Sequence, residues 1–177
     1  MLNCHSMIEN MPARPYHEAI EILIAEHPGL RAQMENIYIK SKLIYTGDTN
    51  NLSDKLSELN NMLVNFITDI EPHADKEEGA LFEALAKLIG REGGPISVME
   101  AEHNTAKKLM RRFQANYGEW INSIDGEKAK LLSGDLMETM NILFDHFTKE
   151  EEILFPLAEN LLTKAEKDAL IPIMASY

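Results

Sequence analysis

Apolar residues recur along this chain every three to four positions, in four long runs separated by short polar breaks. The breaks are Gly47-Asp48-Thr49-Asn50-Asn51, Gly90 through Pro95, and Ser123-Ile124-Asp125-Gly126, each rich in residues that favour turns. Spacing of three and four places side chains on one face of a helix, and no stretch holds the period of two expected of a half-buried strand. The pattern predicts helices at about 15–46, 52–89, 96–122 and 127–162. Thr163-Lys164-Ala165-Glu166 has capping-box spacing and predicts a short fifth helix starting there. Pro28 and Pro72 fall inside the first two helices, where a missing N–H and a clash with the carbonyl four residues back predict kinks. Short connections between long helices imply antiparallel neighbours. The expected fold is therefore all-α, an up-down-up-down four-helix bundle with a short C-terminal helix. Its core would draw on Ile22, Leu30, Met34, Leu63, Phe66, Leu81, Leu85, Met99, Leu109, Phe113, Leu143, Phe147, Leu154 and Leu157. The expected division is an amino-terminal extension over 1–14 and a single bundle domain over 15–177.

Charge narrows the range of partners. The chain carries 29 acidic against 17 basic side chains, a formal charge of -12. Such a surface repels phosphate backbones and anionic headgroups, so neither nucleic acid nor a membrane is expected as a partner. No run approaches the roughly 18 apolar residues that span a bilayer. The stretch from Met1 to Pro12 lacks the apolar segment of a signal peptide. A single cysteine, Cys4, leaves no intramolecular disulfide to form, and a cytoplasmic location is expected.

Self-similarity carries the chemistry. Ala25-Glu26-His27 recurs as Ala101-Glu102-His103, and the stretch from His73 to Phe82 recurs as that from His146 to Phe155. The two elements keep their order, with 46 residues from His27 to His73 and 43 from His103 to His146. This is the pattern of a duplicated helical hairpin with a pseudo-twofold axis through its core. Residues four apart share a helix face, so His73 and Glu77 point the same way, as do His146 and Glu150. The next positions on those faces are Ala80, Leu81 and Ala84 in one copy, and Ile153, Leu154 and Leu157 in the other. Imidazole and carboxylate are thus directed into an apolar interior, where an unpartnered carboxylate is costly. Protonation, an ion pair or a metal would relieve it.

One core histidine, or one His-x-x-x-Glu, would read as an ordinary structural feature. Two copies with matching upstream elements read as one site of His27, His73, Glu77, His103, His146 and Glu150. Mixed imidazole and carboxylate donors suit iron, manganese or zinc, and two carboxylates entering from opposite sides could each bridge two ions. A ferritin-like site would need two Glu-x-x-His units, and only Glu100-Ala-Glu-His103 has that spacing. Glu78, Glu151 and Glu152 lie about 100° or more off the ligand face on a regular helix and read as surface charge. Lys76 and Lys149 read as solvated or paired with neighbouring acids, and His5 and His17 as solvent-exposed.

These residues resemble the hemerythrin-like cation-binding proteins of the HHE family, from about Tyr16 to Leu162. His27, His73 with Glu77, His103, and His146 with Glu150 followed by Leu154-Phe155-Pro156 carry the resemblance. The stretch Gly94 to His103 is more specifically similar to the branch that repairs iron centres. The resemblance implies two iron ions, with or without an oxo bridge, and dioxygen or nitric oxide as ligand. It also implies a role in nitrosative or oxidative stress and the repair of iron–sulfur centres, with iron–sulfur proteins as clients. A non-catalytic iron or oxygen binding, storage or sensing protein is the alternative, and the residues do not separate binding from turnover.

Three departures qualify the resemblance. Lys107 stands where oxygen carriers have a fifth histidine, which favours reactivity or sensing over carriage. The repair branch carries a further first-helix histidine; none lies between His27 and His73, leaving Tyr45 or Tyr38 as substitutes, each more readily a core or rim aromatic. The cysteine-bearing amino-terminal domain of that branch is represented at most by Cys4-His5.

Overall fold

The computed structural model describes residues 15–177, and Cys4 and His5 lie outside that range. Within it seven α-helices follow one another: α1 (Glu18–Tyr45), α2 (Leu52–Lys76), α3 (Phe82–Ile89), α4 (Pro95–Trp120), α5 (Gly126–Lys149), α6 (Phe155–Leu161) and α7 (Lys164–Met174). A π turn, Glu77–Leu81, joins α2 to α3, and a second, Glu150–Leu154, joins α5 to α6. The predicted second and fourth helices are therefore each a rod widened once, starting at the Glu of the His-x-x-x-Glu unit. Among the described residues there is no strand, and no helix is long and apolar enough to cross a membrane.

Local chemistry sets the ends. His17 caps α1 by accepting from the Ala19 amide, and Asp125 caps α5 by accepting from that of Lys128. Pro95 opens α4, where its missing N–H leaves no intrahelical bond unmade. Thr163 and Glu166 satisfy each other's backbone amides at the start of α7, the capping box predicted there. Gly90 ends α3 with φ 77°, a conformation that side-chain-bearing residues resist. Pro28 and Pro72 sit inside α1 and α2, which continue through them.

The two hairpins, α1 with α2–α3 and α4 with α5–α6, pack antiparallel into a bundle. Helix α5 lies along both α1 and α4, whereas α2 and α4 meet far less closely. Helix α7 folds back over α1 and the first π turn. The buried residues form two clusters. One contains Met34, Leu63, Phe66, Phe113, Met140 and Phe147; the other contains Ile20, Leu23, Leu81, Phe82, Ile96 and Phe155. On each long helix the polar residues of the repeat fall between the two clusters.

Twelve of the fourteen expected core residues are buried, while Ile22 and Leu157 are half-buried. Leu23, in step with Ile20 and His27, takes the inward place on α1. On the fourth rod the π turn inserts an extra residue and rotates the helix beyond it. Ala158 therefore faces inward in place of Leu157, and Ile153 is 55% exposed.

Candidate metal centre

All four long rods contribute to one buried cluster. His27 comes from α1, His103 from α4, His73 and His146 from the last turns of α2 and α5, and Glu77 and Glu150 from the first positions of the π turns. The structure brings all six predicted residues together, and none is more than 5% exposed. Along each rod the four-residue offset places His73 Nε2 3.3 Å from Glu77 Oε1 and His146 Nε2 3.1 Å from Glu150 Oε1. Across the axis, Glu77 Oε2 lies 3.4 Å from His103 Nε2, and Glu150 Oε2 lies 3.4 Å from His27 Nε2. Each carboxylate thus turns one oxygen to a histidine of its own hairpin and the other to a histidine of the opposite hairpin. His103 Nε2 and His146 Nε2 face each other at 2.9 Å.

The donors form two overlapping groups that share both carboxylates. They are His27, His73, Glu77 and Glu150, and Glu77, His103, His146 and Glu150, with the donor atoms of each group within 4.8 Å of one another. A π turn is a rare element that recurs at functional sites. Here one begins at each shared carboxylate.

A second layer holds the rings. His73 Nδ1 lies 2.8 Å from Glu26, His146 Nδ1 3.1 Å from Glu102, His103 Nδ1 2.7 Å from Glu78, and His27 Nδ1 2.7 Å from Glu151. An ionised carboxylate only accepts, so each Nδ1 donates, which fixes the tautomer and leaves Nε2 free to bind a metal. Each carboxylate also meets a cation: Lys76 on Glu26, Lys149 on Glu102, Lys107 on Glu78 at 3.0 Å, and Arg31 on Glu151 at 3.1 Å. Glu78 and Glu151 therefore correct the expectation of plain surface charge. A regular helix points them away, and the π turns bring them over the histidines of the opposite hairpin. Glu26 and Glu102 were visible as the repeated middle residue of Ala-Glu-His, a signal that carried no assigned role. Lys76 and Lys149 pair with acids as expected, and Glu152 is exposed.

Other candidates lie elsewhere. Lys107 is directed at Glu78 rather than at the shared carboxylates. Tyr38 packs against the core beyond the cluster, and Tyr45, 41% exposed, lies at the far end of α1. From His27 they are 11 and 18 residues along the helix, or about 16 and 27 Å at 1.5 Å per residue. Glu100 bonds Arg91 at 2.8 Å. His17, half-buried, caps α1 and meets Asp168 at 3.0 Å.

Electrostatics ties rings and carboxylates together. Burial opposes a charged His73, but the Glu77 carboxylate and the bond to Glu26 outweigh it and raise the ring to about 10. Against the same burial, the nearby Glu77 carboxylate and the bond to Glu78 raise His103 to about 9. Burial disfavours an ionised Glu77, yet His73 and His103 hold it well below the usual carboxylate range. The bond from His103, against burial and with help from Lys107, takes Glu78 down to about 2.

Within the cluster, the polar groups leave a need unmet. His27 Nε2, His73 Nε2 and all four oxygens of Glu77 and Glu150 are buried with no hydrogen-bond partner. Buried polar atoms are normally satisfied, and leaving one bare costs about 1–3 kcal/mol. Six such atoms converging from three of the four rods fit the coordination of cations.

Comparison with known proteins agrees. The family model of the hemerythrin HHE cation-binding domain matches residues 18–158. The chain belongs to this family. Among curated relatives, an iron-sulfur cluster repair protein YtfE of Escherichia coli O157:H7 is 32% identical over 92 residues, 51% of this chain and 42% of the relative. A protein of the same name from Shigella boydii serotype 18 is 30% identical over the same length. The match thus spans under half the length of these relatives. No solved structure gives a significant match.

Proposed function

We propose that the chain is a non-haem di-iron protein whose centre binds a small ligand such as dioxygen or nitric oxide, in the service of stress response and repair of iron–sulfur centres. The observation that carries the reading is the pair of overlapping donor groups sharing Glu77 and Glu150. In this reading His27 and His73 would hold one ion and His103 and His146 the other, with Glu77 and Glu150 placed within reach of both. Iron follows from the imidazole and carboxylate donor set together with the names of the relatives. The repair role and the iron–sulfur clients rest on those names alone.

The bound irons would supply redox exchange with the ligand. The chain's own residues supply the setting. Glu26, Glu78, Glu102 and Glu151 hold the rings by Nδ1, and their cations balance the outer charge. Phe147 and Phe155 pack against the His27 ring, and Phe82 against that of His103. Binding without turnover, as in a sensor or store, is supported by the enclosure of the site, whose adjoining cavity has room for only a small molecule.

Iron per chain and the near-ultraviolet spectrum test the reading. Anaerobically reconstituted protein should hold two irons and develop ligand-to-iron absorption on oxidation. The double variant His73→Leu, His146→Leu should stay folded and hold none. Wild-type protein that takes up no more iron than the variant would overturn the assignment. Catalytic consumption of nitric oxide under reducing conditions would decide for turnover; stoichiometric binding alone would decide for the sensor or store.

A further inference from the structure

The two hairpins are matched in their donors and unmatched in what lies over them. In register, His27 corresponds to His103 and His73 to His146, so Leu30 corresponds to Ala106 and Phe147 to Ala74. Both substitutions run the same way. Helices α1 and α5 carry the two large residues, and α2 and α4 carry the two alanines, which face one cleft. The other positions match in kind: Ile70 with Leu143, Met34 with Met110, and Arg31 with Lys107.

The consequence is visible at each cleft. Over the first pair of histidines, the Phe147 ring stacks on His27 at 4.1 Å with the planes 2° apart, and Arg31 lies 5.5 Å from the same ring. Leu30 is buried on α1 at the place that corresponds to Ala106. Over the second pair, Ile70, Ala74, Ala106, Met110, Leu143 and Phe147 surround a cavity that ends on His103 and His146, with Glu71 and Lys107 also lining it. It leaves about 20 Å³ for the centre of a water-sized molecule, where about 10–15 Å³ by that measure admits one. The looser packing of α2 against α4 than of α1 against α5 runs along the same cleft.

We propose that a small uncharged ligand reaches the centre from one side only, through the α2–α4 cleft between Ala74 and Ala106, and meets it at the His103–His146 pair. The ligand sets give the two metals equal histidine counts, so access, not coordination number, distinguishes them. An apolar passage suits a diatomic gas, which sheds little hydration on entry, and disfavours ions. The inference rests on the reading of the six residues as metal ligands.

The test uses nitric oxide as probe, with stopped-flow association to the reduced, iron-loaded protein and iron content measured on the same samples. Ala74→Phe and Ala106→Leu each install the residue that the other hairpin carries at the matching position. Both should keep two irons per chain and slow association at least tenfold. Ala106→Leu adds the smaller volume and keeps the test open if Ala74→Phe fails to fold. An iron-loaded Ala106→Leu that slows association less than tenfold overturns the proposal. A wild-type chain that holds no iron overturns the metal reading and the access proposal together, a result the iron analysis separates from the first.

Discussion

The two hairpins of this bundle present the same chemistry at the same offsets and differ in their cover. Each supplies two histidines, one shared carboxylate, two outer carboxylates and two of the four cations that meet the outer carboxylates. Yet Phe147 of α5 closes over His27 of α1, while α2 and α4 stand apart over Ala74 and Ala106. The first π turn lies under α7, and the second is open, with Ile153 exposed. Donor geometry is tied to both halves because each carboxylate faces both, so it admits little difference between them. Packing over the rings is free of that constraint.

Replacing a shared carboxylate should have the largest effect. Glu77→Ala removes an oxygen from both donor groups, so both metals should be lost, whereas His73→Leu alone should lose one. Iron per chain measures this. Glu77→Ala protein that retains one tightly held ion would show the halves to be independent sites.

The cover comes next. Phe147→Ala removes a fully buried ring and should cost the metal-free protein about 3–5 kcal/mol. Ala74→Gly, at the matching position, should cost only about 1 kcal/mol, mostly from helix propensity. Urea unfolding of the two variants compares the halves directly. Equal costs would mean that Phe147 does not close its cleft.

The outer layer should matter less, and equally on both sides. Glu78→Gln and Glu151→Gln keep the size of the side chain but weaken the hold on Nδ1, and loss of such a partner typically lowers metal affinity about 10–100-fold. Competition with a chelator of known affinity measures both. A fall confined to one variant would show that the two outer layers, like the clefts, are unequal.

Protons compete for the same atoms. With His73 raised to about 10 and His103 to about 9 from an ordinary 6.5, metal-free protein at neutral pH carries protons that a metal must displace. Metal affinity should therefore rise with pH toward those values, with proton release visible by calorimetry in buffers of different ionisation enthalpy. For the metal-free fold the sign reverses. Raised histidines stabilise it fully below 6.5, and that contribution is lost as the pH climbs through 9 to 10. Metal-free protein whose unfolding midpoint stays level across that interval would contradict the proposed ion-paired cluster.

Much of the fold and of the six-residue cluster was legible in the chain because both rest on period. Apolar spacing marks the four rods, Thr163 with Glu166 marks α7, and the repeat of His27 and His73-Glu77 as His103 and His146-Glu150 marks the cluster. What was not legible depends on leaving the period. A reading at 3.6 residues per turn carries no π turn, so it sends Glu78 and Glu151 to solvent and Ile153 and Leu157 to the core. The structure instead bonds Glu78 and Glu151 to His103 and His27, although Glu151 stays exposed, turns Ile153 outward and leaves Leu157 half-buried. The contrast of Ala74 with Phe147 is present in the sequence too, but only the packing of α2 against α4 shows that small residues there leave a space.

The smallest expected effect concerns the π turns. Gly79 in the first corresponds to Glu152 in the second, and the Tyr177 phenol fills the notch that the missing side chain leaves. A Cβ at Gly79 would collide with the Tyr177 hydroxyl, but that ring is 51% exposed and can swing into water. Gly79→Ala therefore loses a surface contact and gains up to about 1 kcal/mol of helix propensity, leaving the stability within about 0.5 kcal/mol of the wild type. Urea midpoints with matched slopes measure it, and iron content should not change. A loss above about 2 kcal/mol, beyond what surface substitutions normally cost, would mean that Tyr177 clamps the turn carrying Glu77. The first hairpin would then depend on its C-terminal cover in a way that the second, with Glu152 in the open, does not.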